Sequence, residues 1–151
     1  MKLELEAPTV AAMEALGAGL AVGIRYVQLV YLYGELGTGK TTLARGILRA
    51  LGHTTVVKSP TFTLVEPYTF DGLTAYHFDL YRLKNSEELE FLGFRDYVKD
   101  NSVCLVEWAD RGTGVLPTPD IDVVINKVDD KRTVALISHT KRGAKLLSGL
   151  A

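Results

Sequence analysis

At 151 residues, with 47% hydrophobic and 23% charged residues, the chain has the composition of one globular domain that builds its own core. A net charge of −1, with both signs spread along the chain, excludes a protein that holds nucleic acid mainly through a concentrated basic face. The single cysteine, Cys104, excludes an internal disulfide or a zinc cluster, and within Val103-Cys104-Leu105-Val106 it reads as a small core residue.

The first residues lack the apolar core of a signal peptide. The weakly polar stretch Ala15 to Ile24 is about half of what a membrane span needs. The expectation is a soluble, cytoplasmic, single-domain protein over residues 1–151 with no membrane association.

In chain order, Leu3 and Leu5 alternate with charges and predict a short strand. Pro8 and Thr9 open an alanine-rich helix to about Gly23. Its glycines at 17, 19 and 23 do not have dinucleotide-fingerprint spacing, because Val22 stands where the third glycine belongs. Val27 to Tyr33 reads as a buried strand that ends where a glycine loop begins. Lys40 to Leu51 is a helix with Leu43, Ile47, Leu48 and Leu51 on one side, and Gly52 is placed to cap it.

Thr63 to Phe70 and Leu73 to Leu80 form a hairpin about Asp71-Gly72. Asn85 is expected to cap a short helix through Leu92, with Glu88 completing a capping box. Val103 to Trp108 is a second buried strand, and Gly112 to Pro119 is a loop. Ile121 to Val128 and Arg132 to Ser138 form another hairpin about Asp129-Asp130. The last dozen residues read as a basic helix whose Lys141, Arg142 and Lys145 face solvent.

Gly34-Glu35-Leu36-Gly37-Thr38-Gly39-Lys40-Thr41 matches G-x-x-x-x-G-K-[ST], with a strand directly before it and a helix directly after. Glycines let the N–H groups around Gly37, Thr38 and Gly39 turn inward on phosphates, and the helix adds its positive N-terminal end. Lys40 supplies a cation for the β- and γ-phosphates. Thr41 offers a hydroxyl to Mg²⁺, and Thr42 can reach the α-phosphate. The predicted ligand is ATP with Mg²⁺.

Magnesium needs a further carboxylate, and two acids end strand-like runs: Asp79 after Ala75-Tyr76-His77-Phe78, and Glu107 after Val103-Cys104-Leu105-Val106. Either can hold the metal or orient water while the other supports it; either can instead pair with a neighbour such as Arg82 or Arg111. His77 reads as a packed or hydrogen-bonded residue rather than a base, and Trp108 as a roof over the site or part of the core. Asn126-Lys127-Val128-Asp129 matches the guanine-reading N-K-x-D. Its last residue falls in an expected hairpin turn and no D-x-x-G follows the phosphate loop, so ATP is favoured over GTP.

The ordered set of motifs resembles the bacterial TsaE (YjeE) family, the P-loop ATPase of tRNA N6-threonylcarbamoyladenosine (t6A) biosynthesis. The stretches that carry it are the loop Gly34 to Thr42, Ser59-Pro60-Thr61-Phe62-Thr63-Leu64-Val65, His77-Phe78-Asp79-Leu80-Tyr81-Arg82, Glu87-Glu88-Leu89-Glu90, Val106-Glu107-Trp108 and Gly112 to Pro117. The resemblance implies a three-layer α/β P-loop NTPase fold with a mixed, partly parallel sheet. It implies that Thr41 and Glu107 hold Mg²⁺, that Ser59 to Val65 senses the γ-phosphate, and that Asp79 orients water or supports the metal. It places adenine between Thr9 and Arg132.

It also implies partners TsaD and TsaB, with tRNA engaged indirectly, and an ATPase that is weak alone because no arginine finger is evident. A small-molecule kinase of the P-loop class and a nucleotide-dependent binding switch are the alternatives.

Overall fold

The structure is a computed structural model that describes residues 1–150. Seven strands form one sheet, β1 (Lys2–Glu6), β2 (Leu29–Tyr33), β3 (Val65–Phe70), β4 (Leu73–Asp79), β5 (Ser102–Glu107), β6 (Ile121–Val128) and β7 (Lys131–Ser138), in the order β1-β7-β6-β2-β5-β4-β3. Strand β2 runs parallel to β5 and β6, and β4 runs parallel to β5. The hairpins β3–β4 and β6–β7, and the edge pair β1–β7, are antiparallel. The sheet is therefore mixed, with a parallel centre.

Helices cover both faces, which is why the central strands read as continuous apolar runs. On one face α1 (Val10–Ala21), α2 (Lys40–Leu51) and α4 (Lys141–Ser148) pack Leu20, Leu43, Ile47 and Leu147 onto Val30, Leu32, Leu105 and Val123. On the other face α3 (Glu87–Leu92) and the short turn Phe94–Tyr97 pack Leu89 and Phe94 onto Tyr31, Phe78, Cys104 and Val106. Cys104 is fully buried there, and burial pushes its thiol up to about 12. This is the expected three-layer α/β P-loop fold. No helix among the described residues is long and apolar enough to cross a membrane.

Helix α2 has the predicted bounds and ends on Gly52, at φ +121°. The turn Asp129-Asp130 has both residues left-handed, which matches the twist a tight hairpin needs. Other boundaries differ. Val27 and Gln28 stay outside β2 because the N–H groups of Gln28 and Leu29 donate to the buried carboxylate of Asp120, at 2.7 and 3.1 Å. Thr63 and Leu64 stay outside β3, since Leu64 turns left-handed and its N–H donates to the Pro60 carbonyl at 2.8 Å.

Asn85 does not cap α3. Ser86 holds that position without a side-chain bond, and Glu88 reaches back to the Lys84 N–H at 3.2 Å. The terminal helix face is only partly free: Arg142 pairs with Asp120 at 3.3 Å and the Lys145 ammonium lies over the Tyr26 ring.

Candidate functional site

The site forms at the carboxyl end of the parallel strands, where ligands gather in open α/β sheets. Between β2 and α2 the chain turns through Gly37 and Gly39, both left-handed at φ +76° and +117°. Glycine adopts that backbone without steric cost. Thr38 tightens the turn, donating from Oγ1 to the Glu35 carbonyl at 2.9 Å. Gly39 is the N-cap of α2 and provides no side-chain cap, so the first N–H groups of the helix point into the loop.

Lys40 is only 5% exposed. Its Nζ donates to the carbonyls of Gly34 and Glu35, the latter at 3.1 Å, and sits 4.2 Å from the centre of the Trp108 ring. Burial lowers the lysine pKa, and the carboxylates of Glu107, Asp79 and Glu35 oppose that shift. Trp108 follows β5 in a left-handed conformation and roofs the site, with Tyr81 against its ring at 4.9 Å. Glu35 itself is exposed.

One residue after Lys40, Thr41 Oγ1 donates to both oxygens of Glu107, at 3.1 and 3.0 Å. Glu107 ends β5, is 3% exposed, and also receives His77 Nε2 at 2.5 Å on Oε2. The parallel register places Asp79, the last residue of β4, directly beside Glu107. Neither acid pairs with Arg82 or Arg111; those guanidiniums lie over Phe62 and over Tyr81 and Trp108. Asp79 accepts from the Tyr81 N–H at 2.9 Å and from Thr61 Oγ1 at 3.2 Å. Burial raises its pKa, and those two hydrogen bonds partly offset the rise.

These groups line a cleft of about 270 Å³. Its walls include Thr9, Gly37, Thr38, Gly39, Lys40, Thr41, Thr42, Asp79, Glu107, Trp108 and Arg132, while His77 and Glu35 lie outside its lining. Thr9 caps α1, accepting from the Ala12 N–H at 3.0 Å, and Arg132 Nη2 donates to the Gly37 carbonyl at 3.5 Å. The segment Ser59 to Val65 contributes Ser59 and Thr61. Asn126 and Lys127 lie in the β6–β7 hairpin, paired with Thr133 and Arg132, and Asp129 is in its turn, as expected.

Sequence reasoning missed Val10 and Met13, which line the same wall as Thr9. Met13 lies one helical turn after Thr9, a spacing that could have found it. The sequence marks His77 as a packed or bonded residue but does not name its partner, which is Glu107. The separation of two between His77 and Asp79 on one strand was the available signal.

A threonine hydroxyl and a carboxylate meeting at 3.0 Å are the hard oxygen donors that suit magnesium. Among the described residues no cluster of three His, Cys, Asp or Glu side chains could hold a metal alone. Phosphate oxygens and water would have to complete the shell, which is how magnesium is usually bound.

The family model described as "Threonylcarbamoyl adenosine biosynthesis protein TsaE" matches residues 7–134. A tRNA threonylcarbamoyladenosine biosynthesis protein TsaE from Haemophilus influenzae is 53% identical over 123 residues, covering 82% of this chain and 78% of that one. Its counterpart from Bacillus subtilis is 39% identical over 121 residues, covering 80% and 75%. The crystal structure of Bacillus subtilis YdiB superposes with a TM-score of 0.83 at 29% identity, covering 99% of this chain and 94% of that chain.

Proposed function

The chain belongs to the TsaE family of threonylcarbamoyl adenosine biosynthesis proteins, and from that premise we propose that it is a cytoplasmic, single-domain ATPase. It binds ATP with Mg²⁺ in the cleft, hydrolyses it weakly alone, and acts in tRNA t6A modification on a TsaD–TsaB complex rather than transferring the group itself. The observation that supports this most is the convergence of Lys40, Thr41, Asp79 and Glu107 in front of the N-terminus of α2.

In this reading the N–H groups around Gly37 to Lys40 cradle the phosphates. Lys40 leaves the Gly34 and Glu35 carbonyls to face the β- and γ-phosphates. Thr41 and Glu107 would hold magnesium, whose positive charge would offset that of the phosphate oxygens. Asp79 accepts a hydrogen bond from the attacking water and receives its proton as the water oxygen bonds to the γ-phosphorus. The bond to the β–γ bridging oxygen breaks, that oxygen leaves on ADP, the water oxygen leaves in inorganic phosphate, and Asp79 gives its proton up to solvent. Ser59 to Val65 senses the γ-phosphate through Thr61, which already bonds Asp79. Adenine lies between the α1 start at Thr9 and Arg132, with Met13 beneath it.

Arg132 is the one arginine among the residues lining this cleft, and in this reading it faces the adenine. Weak solitary turnover follows, because added transition-state charge of the arginine-finger kind is worth about 10³ to 10⁵ in rate. A net charge of −1 suits a protein partner with tRNA engaged indirectly.

The test is ATP hydrolysis by the pure protein, then with TsaD, TsaB and tRNA. Strong stimulation supports the reading. An unchanged rate with tight ATP binding removes the partner-dependent part and leaves a nucleotide-dependent switch or a kinase.

A further inference from the structure

Strand β4 carries two polar side chains on one face of the sheet, Asp79 at its end and His77 two residues earlier. The proposed hydrolysis uses Asp79 and leaves His77 without a task. His77 is fully buried, and an imidazole between Tyr76 and Phe78 in a covered strand is costly unless it is bonded. Its Nε2 lies 2.5 Å from Glu107 Oε2, while its Nδ1 is buried with no partner.

A carboxylate can only accept, so Nε2 carries the hydrogen it shares with Glu107. The contact therefore runs one way, from ring to acid.

Glu107 has one other side-chain donor, Thr41 Oγ1, which spans both carboxylate oxygens. Thr41 is the residue whose oxygen would turn to the metal, so it cannot also fix the carboxylate in place. His77 can, because its strand is hydrogen-bonded on both sides, to β3 and to β5. We infer that His77 is a positioning residue for the metal site: its Nε2–H holds Oε2 of Glu107 and aims the carboxylate at Thr41. This rests on the reading that Glu107 binds magnesium beside ATP. Partners of this kind orient a ligand and fix its geometry, and losing one typically costs 10- to 100-fold in metal affinity.

The experiment compares His77→Gln, whose amide nitrogen can take the place of Nε2, with His77→Leu, which keeps bulk and loses the donor. Magnesium chloride is titrated against a fluorescent methylanthraniloyl-ATP at fixed concentration, with each variant's metal-free binding as its own baseline. The expected result is a magnesium midpoint about 10- to 100-fold higher in His77→Leu and within a few-fold of the parent in His77→Gln. In parallel, long-range proton–nitrogen NMR of the nucleotide-free protein should show His77 protonated at Nε2. That signal should move in Glu107→Gln.

An unshifted midpoint in folded His77→Leu, or an Nε2 without a proton, overturns the inference and leaves the nucleotide site standing. If the parent shows no magnesium dependence at all, the reading of the site itself fails, and the inference with it. If His77→Leu does not fold, the NMR tautomer and the midpoint of His77→Gln decide the question.

Discussion

The ammonium of Lys40 lies 4.2 Å from the centre of the Trp108 ring while donating to the carbonyls of Gly34 and Glu35. Lysine is thus held over the loop by an aromatic face and two backbone oxygens, with its charge already partly desolvated. Moving Nζ from those carbonyls to a polyphosphate exchanges neutral acceptors for charged ones. Such charge-assisted bonds are roughly twice as strong as neutral ones.

Lys40→Ala should therefore weaken ATP binding by about 10- to 100-fold, from a charged hydrogen bond worth about 1.5–3 kcal/mol. Turnover should fall below detection. The melting temperature should change little, because the side chain packs at the cleft and not in either apolar cluster. Calorimetric titration with ATP checks the first part; turnover equal to the parent's would remove Lys40 from the chemistry.

Glu107 is the acceptor for two donors at once, the half-buried Thr41 Oγ1 and the fully buried His77 Nε2. Glu107→Ala leaves the His77 donor without a partner, while Thr41 at the cleft can turn to water, and one unsatisfied buried donor costs about 1–3 kcal/mol. The nucleotide-free protein should lose about 1–3 kcal/mol, seen as a lower urea midpoint with an unchanged slope. Glu107→Gln keeps one oxygen acceptor and should lose less than half of that. If both variants unfold at the parent's midpoint, Glu107 is not held as described.

Asp79 gives the opposite sign. Burial raises its folded pKa above the ordinary 3.8, so the folded state binds a proton that the unfolded chain releases. Stability from this group is present at low pH and is lost as pH rises from 3.8 through the raised folded value. Asp79→Asn removes that loss. It can still accept from the Tyr81 N–H and can donate to Thr61 Oγ1. The variant should melt no lower than the parent at pH 7, with the difference closing as pH falls toward 4, while hydrolysis is abolished. A functional acid that costs stability is common at active sites. A variant that melts far below the parent at pH 7 would make Asp79 a structural anchor instead.

How far the sequence carries the fold depends on the range of the forces involved. Helix α2 was legible to the residue because its start, its apolar face and its glycine stop are all local. The hairpin turn at Asp129-Asp130 was legible because both residues tolerate left-handed backbone. The start of β2 was not, since it is set by Asp120, far along the chain, whose carboxylate ties down Gln28 and Leu29. The capping box failed within its own few residues: spacing allowed Asn85, but Glu88 found the Lys84 N–H one residue earlier.

Within the site, the loop and the two strand-end acids announced themselves by motif and position. That Asp79 and Glu107 stand side by side required the parallel pairing of β4 with β5, which local pattern does not carry. The His77–Glu107 bond lies across the same pairing. Thr9 and Arg132 came from the resemblance rather than from any local signal, and the structure brings both to the cleft.

The wall that Thr9 and Met13 provide depends on how closely α1 lies on α2, and that distance is set by glycine. A Cβ on Gly46 would fall within 3.0 Å of the Glu14 backbone, and one on Gly17 within 3.0 Å of the Ile47 nitrogen. The helices touch backbone to backbone, with Glu14 bridging Arg45 at 3.1 Å and Arg49 at 3.7 Å beside the contact. Neither glycine can take a side chain unless α1 moves outward. Gly46→Ala gains up to about 1 kcal/mol of helix propensity, against roughly 1–3 kcal/mol for overpacking a contact made of main chain. Overpacking should win, lowering the melting temperature by a few degrees.

The more informative effect is on ligand choice. α2 keeps Lys40, Thr41 and Thr42, so affinity for inorganic triphosphate with magnesium should stay near the parent's. Outward movement of α1 carries Thr9 and Met13 away from Arg132, so ATP should lose several-fold in affinity. Titrating both ligands into Gly46→Ala separates the two walls of the cleft. Equal losses for ATP and triphosphate would mean that α1 contributes nothing to reading the base.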